Sequence, residues 1–298
     1  MCTSDTEASV TDLVPARGRR DENELWRRIR IVAANEGADP DDDDDSRAAI
    51  KRRVVTRLCE ALNQADSQEL AGEFELQNPD NLWTGAVYDI KNLGLPQSPC
   101  STAMVMLAGA WEGTGGLSHG PGIAIHLSTA AVFGVALSAL PRGPARDEAD
   151  RLYDQFGSLL RSYIEEQYRE TQRLLQGLSS AVLFHGTVVS RAGRGVIAEE
   201  MLPLQPLNSF SIDPSAARCF PMYHGPSEGE CYAVYAVEVP RNRIASIPSA
   251  GIGSYGEREV VVLGPAIGQT DSGWRSEGEE DRRVALSEEQ WWSLIHEA

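Results

Sequence analysis

Three segments of the chain place apolar side chains every three or four positions, the spacing of one face of an α-helix. One begins near residue 22, and the others cover residues 47–64 and 147–178. Their apolar positions are Leu25, Trp26, Ile29 and Ile31; Ile50, Val54, Leu58 and Leu62; and Leu152, Phe156, Leu159, Leu160, Tyr163, Ile164, Tyr168, Leu174 and Leu175. The pattern predicts three amphipathic helices that pack through these faces.

A fourth segment, residues 122–140, is uncharged and nearly as long as the roughly 20 residues of a membrane-spanning helix. Polar side chains inside it, including His126 and Ser128, and prolines on both sides favour a helix buried among other helices. A membrane-inserting device that delivers the C-terminal part is the alternative. Residues 109–122 contain six glycines, which predicts a flexible loop before this helix.

After residue 178 the pattern changes to short apolar runs separated by Gly, Pro, Ser and Asn. These runs predict strands, and helices followed by strands indicate an α+β fold. We expect a disordered tail over residues 1–22, a helical domain over 23–144 and a second domain over 145–298. The run of aspartates within 39–46 predicts an acidic linker that ends at a helix N-terminus; a calcium-binding loop is the weaker alternative.

The amino-acid composition makes some classes of function less favourable than others. The 298 residues carry 27 Lys plus Arg against 44 Asp plus Glu, a net charge of −17, which gives no strong nucleic-acid-binding signal and argues against an anionic membrane as partner. The five scattered cysteines fit free thiols in a reducing compartment, and the first 20 residues lack a secretory signal. We expect a cytoplasmic protein, or one delivered into a target cell by a non-classical route.

Three strand segments carry candidate chemistry in a fixed order. They are His185-Gly186-Thr187 at the end of one strand, Ser209-Phe210-Ser211 in the next, and Glu257-Arg258-Glu259 at the start of a third. Strand alternation places both carboxylates of the last motif on one face, at the mouth of the strand.

This ordered set resembles the ADP-ribosyltransferase family over roughly residues 183–264. The family pattern is a first-strand residue followed by Gly, a Ser-Thr-Ser-like motif, and Glu-x-Glu after a mobile loop, here residues 247–256. The resemblance implies a split β-sheet domain with an α-lobe that includes the helix over 147–178. It implies an NAD-dependent mono-ADP-ribosyltransferase that uses no metal. Such domains occur in toxins, effectors, phage-conflict systems and endogenous regulators, and the sequence does not select among them.

The resemblance also implies roles for individual residues. Glu259 stabilises the oxocarbenium-like centre that forms when nicotinamide leaves NAD, Ser209 orients Glu259, and Glu257 addresses the acceptor. A Glu at that position is similar to the arginine-modifying members, so a protein acceptor modified at arginine is expected. The implied NAD-binding residues are His185, Gly186, Thr187, Arg191, Ser211, Phe220 and Tyr255.

His185 departs from the family pattern, because members with Ser-Thr-Ser and Glu-x-Glu usually have Arg at this position. Histidine can bind a ribose hydroxyl but gives a phosphate no permanent bidentate charge, which leaves Arg191 or Arg194 for that contact. Structural interpretations stay open: His185 as a core histidine, the serines as turn residues, and the two glutamates as a solvated face. A non-catalytic binding module on the same fold is the alternative function.

Overall fold

The computed structural model describes residues 24–35, 44–77, 89–111, 117–137, 140–190, 205–213, 215–217, 230–251, 253–254, 256–264 and 284–286. Its helices are α1 Glu24–Asn35, α2 Asp44–Ala61, α3 Gln64–Gln77, α4 Pro99–Trp111, α5 Gly120–Phe133 and α6 Pro144–Leu174. Its strands are β1 Ser180–Ser190, β2 Leu207–Ser211, β3 Glu230–Pro240, β4 Ile244–Ser246, β5 Glu259–Leu263 and β6 Val284–Leu286. The protein therefore has the α+β fold that the sequence predicts.

The three amphipathic helices are present as α1, α2 and α6, and their predicted apolar faces are largely buried. Ile31 is an exception at 51% exposure, because it lies off the α1 face that carries Leu25, Trp26 and Ile29. The linker predicted over 39–46 is wrong for its last three residues, which belong to the first turn of α2.

The apolar segment predicted at 122–140 forms α5, which is buried and ends earlier than expected. Gly134 stops it in a left-handed conformation (φ 63°), and its N–H donates to the carbonyl oxygen of Ala130. Among the helices the structure describes, none is long and apolar enough to cross a membrane.

Two helices, α3 and α4, have no counterpart among the amphipathic segments. Helix α4 is buried on nearly all sides, so its sequence shows no polar face. Ser98 caps it, since Oγ of Ser98 accepts a hydrogen bond of 3.1 Å from the N–H of Ser101. The glycine-rich loop predicted over 109–122 is therefore wrong at both ends, where residues 109–111 are helical in α4 and residues 120–122 begin α5.

The six strands of the described residues form one antiparallel sheet in the order β4-β5-β2-β1-β3-β6. Strands β1 and β3 pair along their whole length, and β2 pairs with β5 from Leu207 to Ser211. In contrast, β1 and β2 are joined by a single residue pair, Phe184 with Ser211. The sheet thus consists of two three-stranded halves that nearly separate between β1 and β2.

One apolar core joins the helices to the sheet. It extends from Leu25 in α1 to Leu263 in β5 without interruption, and α6 lies at its centre with buried Phe156, Leu160 and Tyr163. The core continues across residue 144, where the sequence predicts a domain boundary. The N-terminal helices are consequently part of the surroundings of the sheet and of any site that the sheet carries.

Candidate functional site

Glu259 is the first residue of β5, which β2 separates from the split in the sheet, and its side chain is 4% exposed. Its Oε1 accepts a hydrogen bond of 3.1 Å from the indole Nε1–H of Trp111, at the end of α4. Its Oε2 accepts one of 2.8 Å from the backbone N–H of Ser254. Each carboxylate oxygen therefore has a fixed donor, and such charge-assisted bonds hold the group in one orientation.

Ser211 holds the turn that leads into β5. It lies opposite Glu259 in the β2–β5 ladder, and its Oγ donates 2.7 Å to the carbonyl oxygen of Glu257. The same Oγ accepts 2.9 Å from the N–H of Asp213, so the hydroxyl is used in both directions. The fully buried Ser211 thus ties the Glu257–Glu259 turn to the end of β2.

Glu257 does not lie on the face of a strand, so the prediction that strand alternation aligns it with Glu259 is wrong. The strand begins only at Glu259, because Arg258 has a left-handed backbone (φ 48°) that an extended strand cannot contain. Glu257 is half-buried in the preceding turn, where its N–H lies 3.4 Å from Oγ of Ser254. The backbones of Glu257 and Glu259 still lie at one corner of the sheet, because Ser211 binds the first and pairs with the second.

Ser209 does not make the hydrogen bond to Glu259 that the resemblance implies. The ladder pairs Ser209 with Val261 and pairs Ser211 with Glu259, so Ser209 is one step further along the same face. Within the described residues, its buried Oγ has no hydrogen-bond partner. The orienting role expected of Ser209 is carried in this structure by Trp111 and Ser254.

His185 bridges the two halves of the sheet. Its Nδ1 lies 2.7 Å from the carbonyl oxygen of Ser209, which fixes Nδ1 as the protonated donor and leaves Nε2 as an acceptor. Burial lowers the pKa of His185, and the bond to Ser209 offsets part of that effect, so the ring is neutral. The imidazole supplies a link where β1 and β2 lack ladder pairs.

His185 and Glu259 lie on opposite faces of the sheet. Phe210 alternates with Ser211, so it faces away from the Glu259 side, and the His185 ring lies 4.9 Å from the Phe210 ring. The structure therefore brings together Glu259, Ser211 and the Glu257 turn, and it separates His185 from them.

Two arginines of α2 hold the loop before β5. Nη2 of Arg53 donates 2.6 Å to the carbonyl oxygen of Ser249, and Nη2 of Arg57 donates to that of Ala250. Arg53 and Arg57 also pair with the buried Glu170 of α6, at 3.2 and 3.9 Å. A cavity of about 370 Å³ opens beside them. Its lining residues are Ala49, Arg52, Arg53, Thr56, Arg57 and Glu60.

Sequence reasoning missed Trp111, Ser254 and the two arginines of α2. Trp111 ends a helix whose other side chains are mostly small and apolar. This pattern could have drawn attention to it, because a buried indole N–H needs an acceptor. The α2 arginines lie on the polar face of an amphipathic helix, where nothing in the sequence separates a solvated cation from a bound one.

Several predicted residues cannot be placed. Arg191, Arg194, Phe220 and Tyr255 lie outside the described residues. Gly186 lies in β1 opposite Val234, and the backbone of Thr187 follows it in the same strand. Within the described part of the chain, no group of three or more His, Cys, Asp or Glu side chains is placed to hold a metal ion.

No protein-family model, no curated protein and no solved structure matches this chain.

Proposed function

We propose that the protein is an NAD-dependent mono-ADP-ribosyltransferase whose catalytic carboxylate is Glu259. The observation that carries the proposal is the fixed carboxylate at the start of β5, opposite Ser211, the residue of β2 that forms the single pair with β1. Cleavage of the bond between nicotinamide and ribose builds positive charge on the ribose. A preoriented carboxylate in a site with little water stabilises such charge more strongly than water does.

The arrangement of the sheet supports this reaction class. A sheet whose halves join at one residue pair is consistent with the split sheet expected for the family, and the motif residues Ser209, Ser211 and Glu259 lie on one face of the half that contains β2 and β5. Glu257, in the half-buried turn before Glu259, is close enough in the chain to bind an acceptor while Glu259 faces the ribose. An arginine side chain of a protein is the acceptor we expect.

The proposal requires that NAD can reach the buried side chain of Glu259. Because the Glu259 side chain is 4% exposed and accepts a hydrogen bond from Trp111, we expect the end of α4 to move aside when the ribose of NAD binds. His185 is a positioning residue in this scheme, since it joins the two halves of the sheet from the opposite face. The pyrophosphate of NAD would then depend on arginines, for which Arg191 and Arg194 are candidates.

One observation favours a second candidate, a non-catalytic binding module. Both oxygens of Glu259 accept hydrogen bonds from the protein itself, which is also what a purely structural carboxylate requires. In that case Glu259 would stabilise the junction between α4 and β5, and the cleft would bind a partner without cleaving NAD.

The proposal is tested by incubating the purified protein with NAD labelled in its adenylate part and a cell lysate. We expect label on protein, lost in Glu259→Gln, which keeps the shape of the side chain and removes its charge. Glu165→Gln is the matched control, because Glu165 is exposed on α6. Label that persists in Glu259→Gln contradicts the role of Glu259, and absence of label and of NAD cleavage in every variant favours the binding module.

The acceptor is tested separately with Glu257→Gln. If Glu257 addresses the acceptor, this variant still cleaves NAD to nicotinamide but transfers less label to protein. Mass spectrometry of the modified protein identifies the modified atom, and a residue other than arginine would refute the acceptor assignment while leaving the role of Glu259 intact.

A further inference from the structure

The cavity of about 370 Å³ beside α2 is lined by a single stripe of that helix. Its lining positions recur at steps of three and four residues, which places their side chains on one face. They are Ala49, Arg52, Arg53, Thr56, Arg57 and Glu60. The volume lies at the lower end of the roughly 300–1,000 Å³ that small-molecule sites occupy. The cavity therefore suits a small ligand that cationic side chains can bind.

Two of the lining arginines have donors that a ligand can use. Arg52 is exposed and makes no ion pair among the described residues. Arg57 donates through Nη2 to the carbonyl oxygen of Ala250, and its Nη1 lies 3.5 Å from a carboxylate oxygen of Glu166 and 3.9 Å from one of Glu170. These two ion-pair distances are long, so the carboxylates do not saturate the guanidinium.

Positive charge exceeds negative charge around the cavity. Glu166 and Glu170, which the α2 arginines contact, also pair with Arg169 and Arg173 of their own helix. The cluster thus contains five arginines and three glutamates, which are Arg52, Arg53, Arg57, Arg169, Arg173, Glu60, Glu166 and Glu170. In a chain with a net charge of −17, such a local excess of positive charge attracts anions to this place.

The burial of Arg57 adds to this preference. Burial lowers the pKa of its guanidinium, and the nearby Glu170 and Glu166 offset only part of that effect. A partly desolvated cation with incomplete compensation is stabilised when a further anion binds beside it.

We propose that this cavity binds a small ligand through a diphosphate group, with Arg52 and Arg57 as its cationic partners and the hydroxyl of Thr56 as a further donor. Guanidinium groups match phosphate oxygens in geometry as well as in charge. Arg52 and Arg57 are about 7.5 Å apart along the helix axis, a separation that two linked phosphates bridge better than one. The assignment rests on the stripe of α2 and does not depend on the proposed function.

The binding is tested by calorimetric titration of the full chain with inorganic pyrophosphate, without NAD and at constant ionic strength. We expect saturable binding that is at least about tenfold weaker in Arg52→Gln, because a charge-assisted bond is lost. Arg142→Gln is the matched control, since it removes one positive charge from an exposed position outside α2 and should bind as the wild type does. Absence of saturable binding, or equal affinity in Arg52→Gln and the wild type, would overturn the proposal.

Glu60 provides a test of opposite sign. It is the acidic residue among the lining positions, so Glu60→Gln should tighten pyrophosphate binding by about two- to fivefold, the size of an exposed charge–charge interaction. Weaker binding in this variant would place the anion elsewhere. Sulfate, which has one anionic group, should bind at least about tenfold more weakly than pyrophosphate, and equal affinities would show an unselective cationic surface.

Two further ligands distinguish a free diphosphate from a nucleotide. ADP that binds more tightly than pyrophosphate identifies a nucleotide as the ligand, and ADP that binds more weakly identifies the free diphosphate. Adenosine that binds as tightly as ADP would contradict the proposal, because the diphosphate would then contribute no affinity. Since no NAD is present in these titrations, their outcome is separate from that of the NAD-cleavage assay, and the two proposals fail independently.

Discussion

Among individual residues, some buried polar side chains have a hydrogen-bond partner and others do not. Comparing one of each kind tests what the hydrogen bond contributes to stability. The indole Nε1–H of Trp111 donates to the carboxylate of Glu259. The indole Nε1–H of Trp26 is also buried but has no hydrogen-bond partner among the described residues. The two tryptophans, 2% and 3% exposed, are therefore similarly buried, although the Trp26 ring contacts the guanidinium of Arg258 and the Trp111 ring contacts the imidazole of His126.

We predict that Trp111→Phe lowers the free energy of unfolding by about 1.5–3 kcal/mol more than Trp26→Phe does, since a bond to a charged group is lost in only one of them. Both changes remove similar volume, and each alters one ring contact, that of Trp26 with Arg258 or that of Trp111 with His126, so the difference mainly reports the hydrogen bond. Urea unfolding of the two variants measures it. Equal destabilisation would show that the bond to Glu259 contributes nothing to stability.

The lowered pKa of His185 predicts how the stability of the fold depends on pH. Its pKa is lowered in the folded state from the ordinary value of 6.5, so below about pH 6.5 the unfolded chain binds the proton more readily. Stability is therefore present above that pH and is lost as the pH falls through the folded pKa. Asn at this position can keep a donor near the Ser209 carbonyl oxygen but does not titrate.

Accordingly, we lower the pH from neutral to the range where carboxylates begin to titrate. Over this range we expect the free energy of unfolding to fall more for the wild type than for His185→Asn. Thermal unfolding of both proteins across this range measures the difference. Parallel curves would mean that the imidazole is not buried in its neutral form.

At this scale the sequence identified Glu259 and Ser211 as members of one site, but it assigned the wrong hydrogen bond to Ser209. The reason is the register of β2 against β5, which pairs Glu259 with Ser211 and which no local pattern encodes. The left-handed Arg258 was equally unpredictable, since an arginine there violates the usual preference for glycine.

At the scale of elements, the contact between α2 and the loop before β5 is the feature with the most consequence for the site. Arg57 is buried enough that burial lowers the pKa of its guanidinium, and it bonds both the Ala250 carbonyl oxygen and the acidic side chains of α6. The loop backbone is thus held by a helix from the other end of the chain.

We predict that Arg57→Met increases amide hydrogen exchange in residues 247–254 by about tenfold, the effect of losing roughly 1.4 kcal/mol of local stability. Methionine keeps most of the apolar stem of arginine but removes the donors. The control is Arg52→Met on the exposed side of the same helix, which should leave the exchange unchanged. Equal exchange in Arg57→Met and wild type would show that the loop is held by other contacts.

Element prediction succeeded for the three periodic helices and for the buried, uncharged α5, and it missed α3 and α4, although α3 has an exposed face. The periodic segments became α1, α2 and α6, whereas the wholly buried α4 shows no alternation and was missed. The strands of the C-terminal half were recognised from their short apolar runs, with the exception of β6, a three-residue edge strand.

For the whole molecule, the apolar core joins the helical region to the sheet instead of dividing at residue 144. Helix α6 packs against α5 on one side and touches β4 on another, where Nε2 of Gln172 donates to the carbonyl oxygen of Ile244. A fragment that begins at residue 145 keeps the motif strands but exposes the face of α6 that α5 covers.

We therefore predict that residues 145–298 alone do not fold cooperatively, because the lost helices leave a large apolar surface in water. Circular dichroism should show no sharp thermal transition, and the fragment should bind a hydrophobic dye. Removal of residues 1–22, which the sequence predicts as a tail, is the control and should leave the transition of the full chain unchanged. A cooperative transition in the fragment would establish an independent C-terminal domain.

The catalytic role of Glu259 is tested most directly by measuring the release of nicotinamide from NAD in the presence of cell lysate as acceptor. We predict release by the wild type and by Glu165→Gln at equal rates, and a rate at least about 100-fold lower in Glu259→Gln, because the charge that stabilises the ribose cation is gone. Equal release by Glu259→Gln and the wild type, with both folded, would contradict the account.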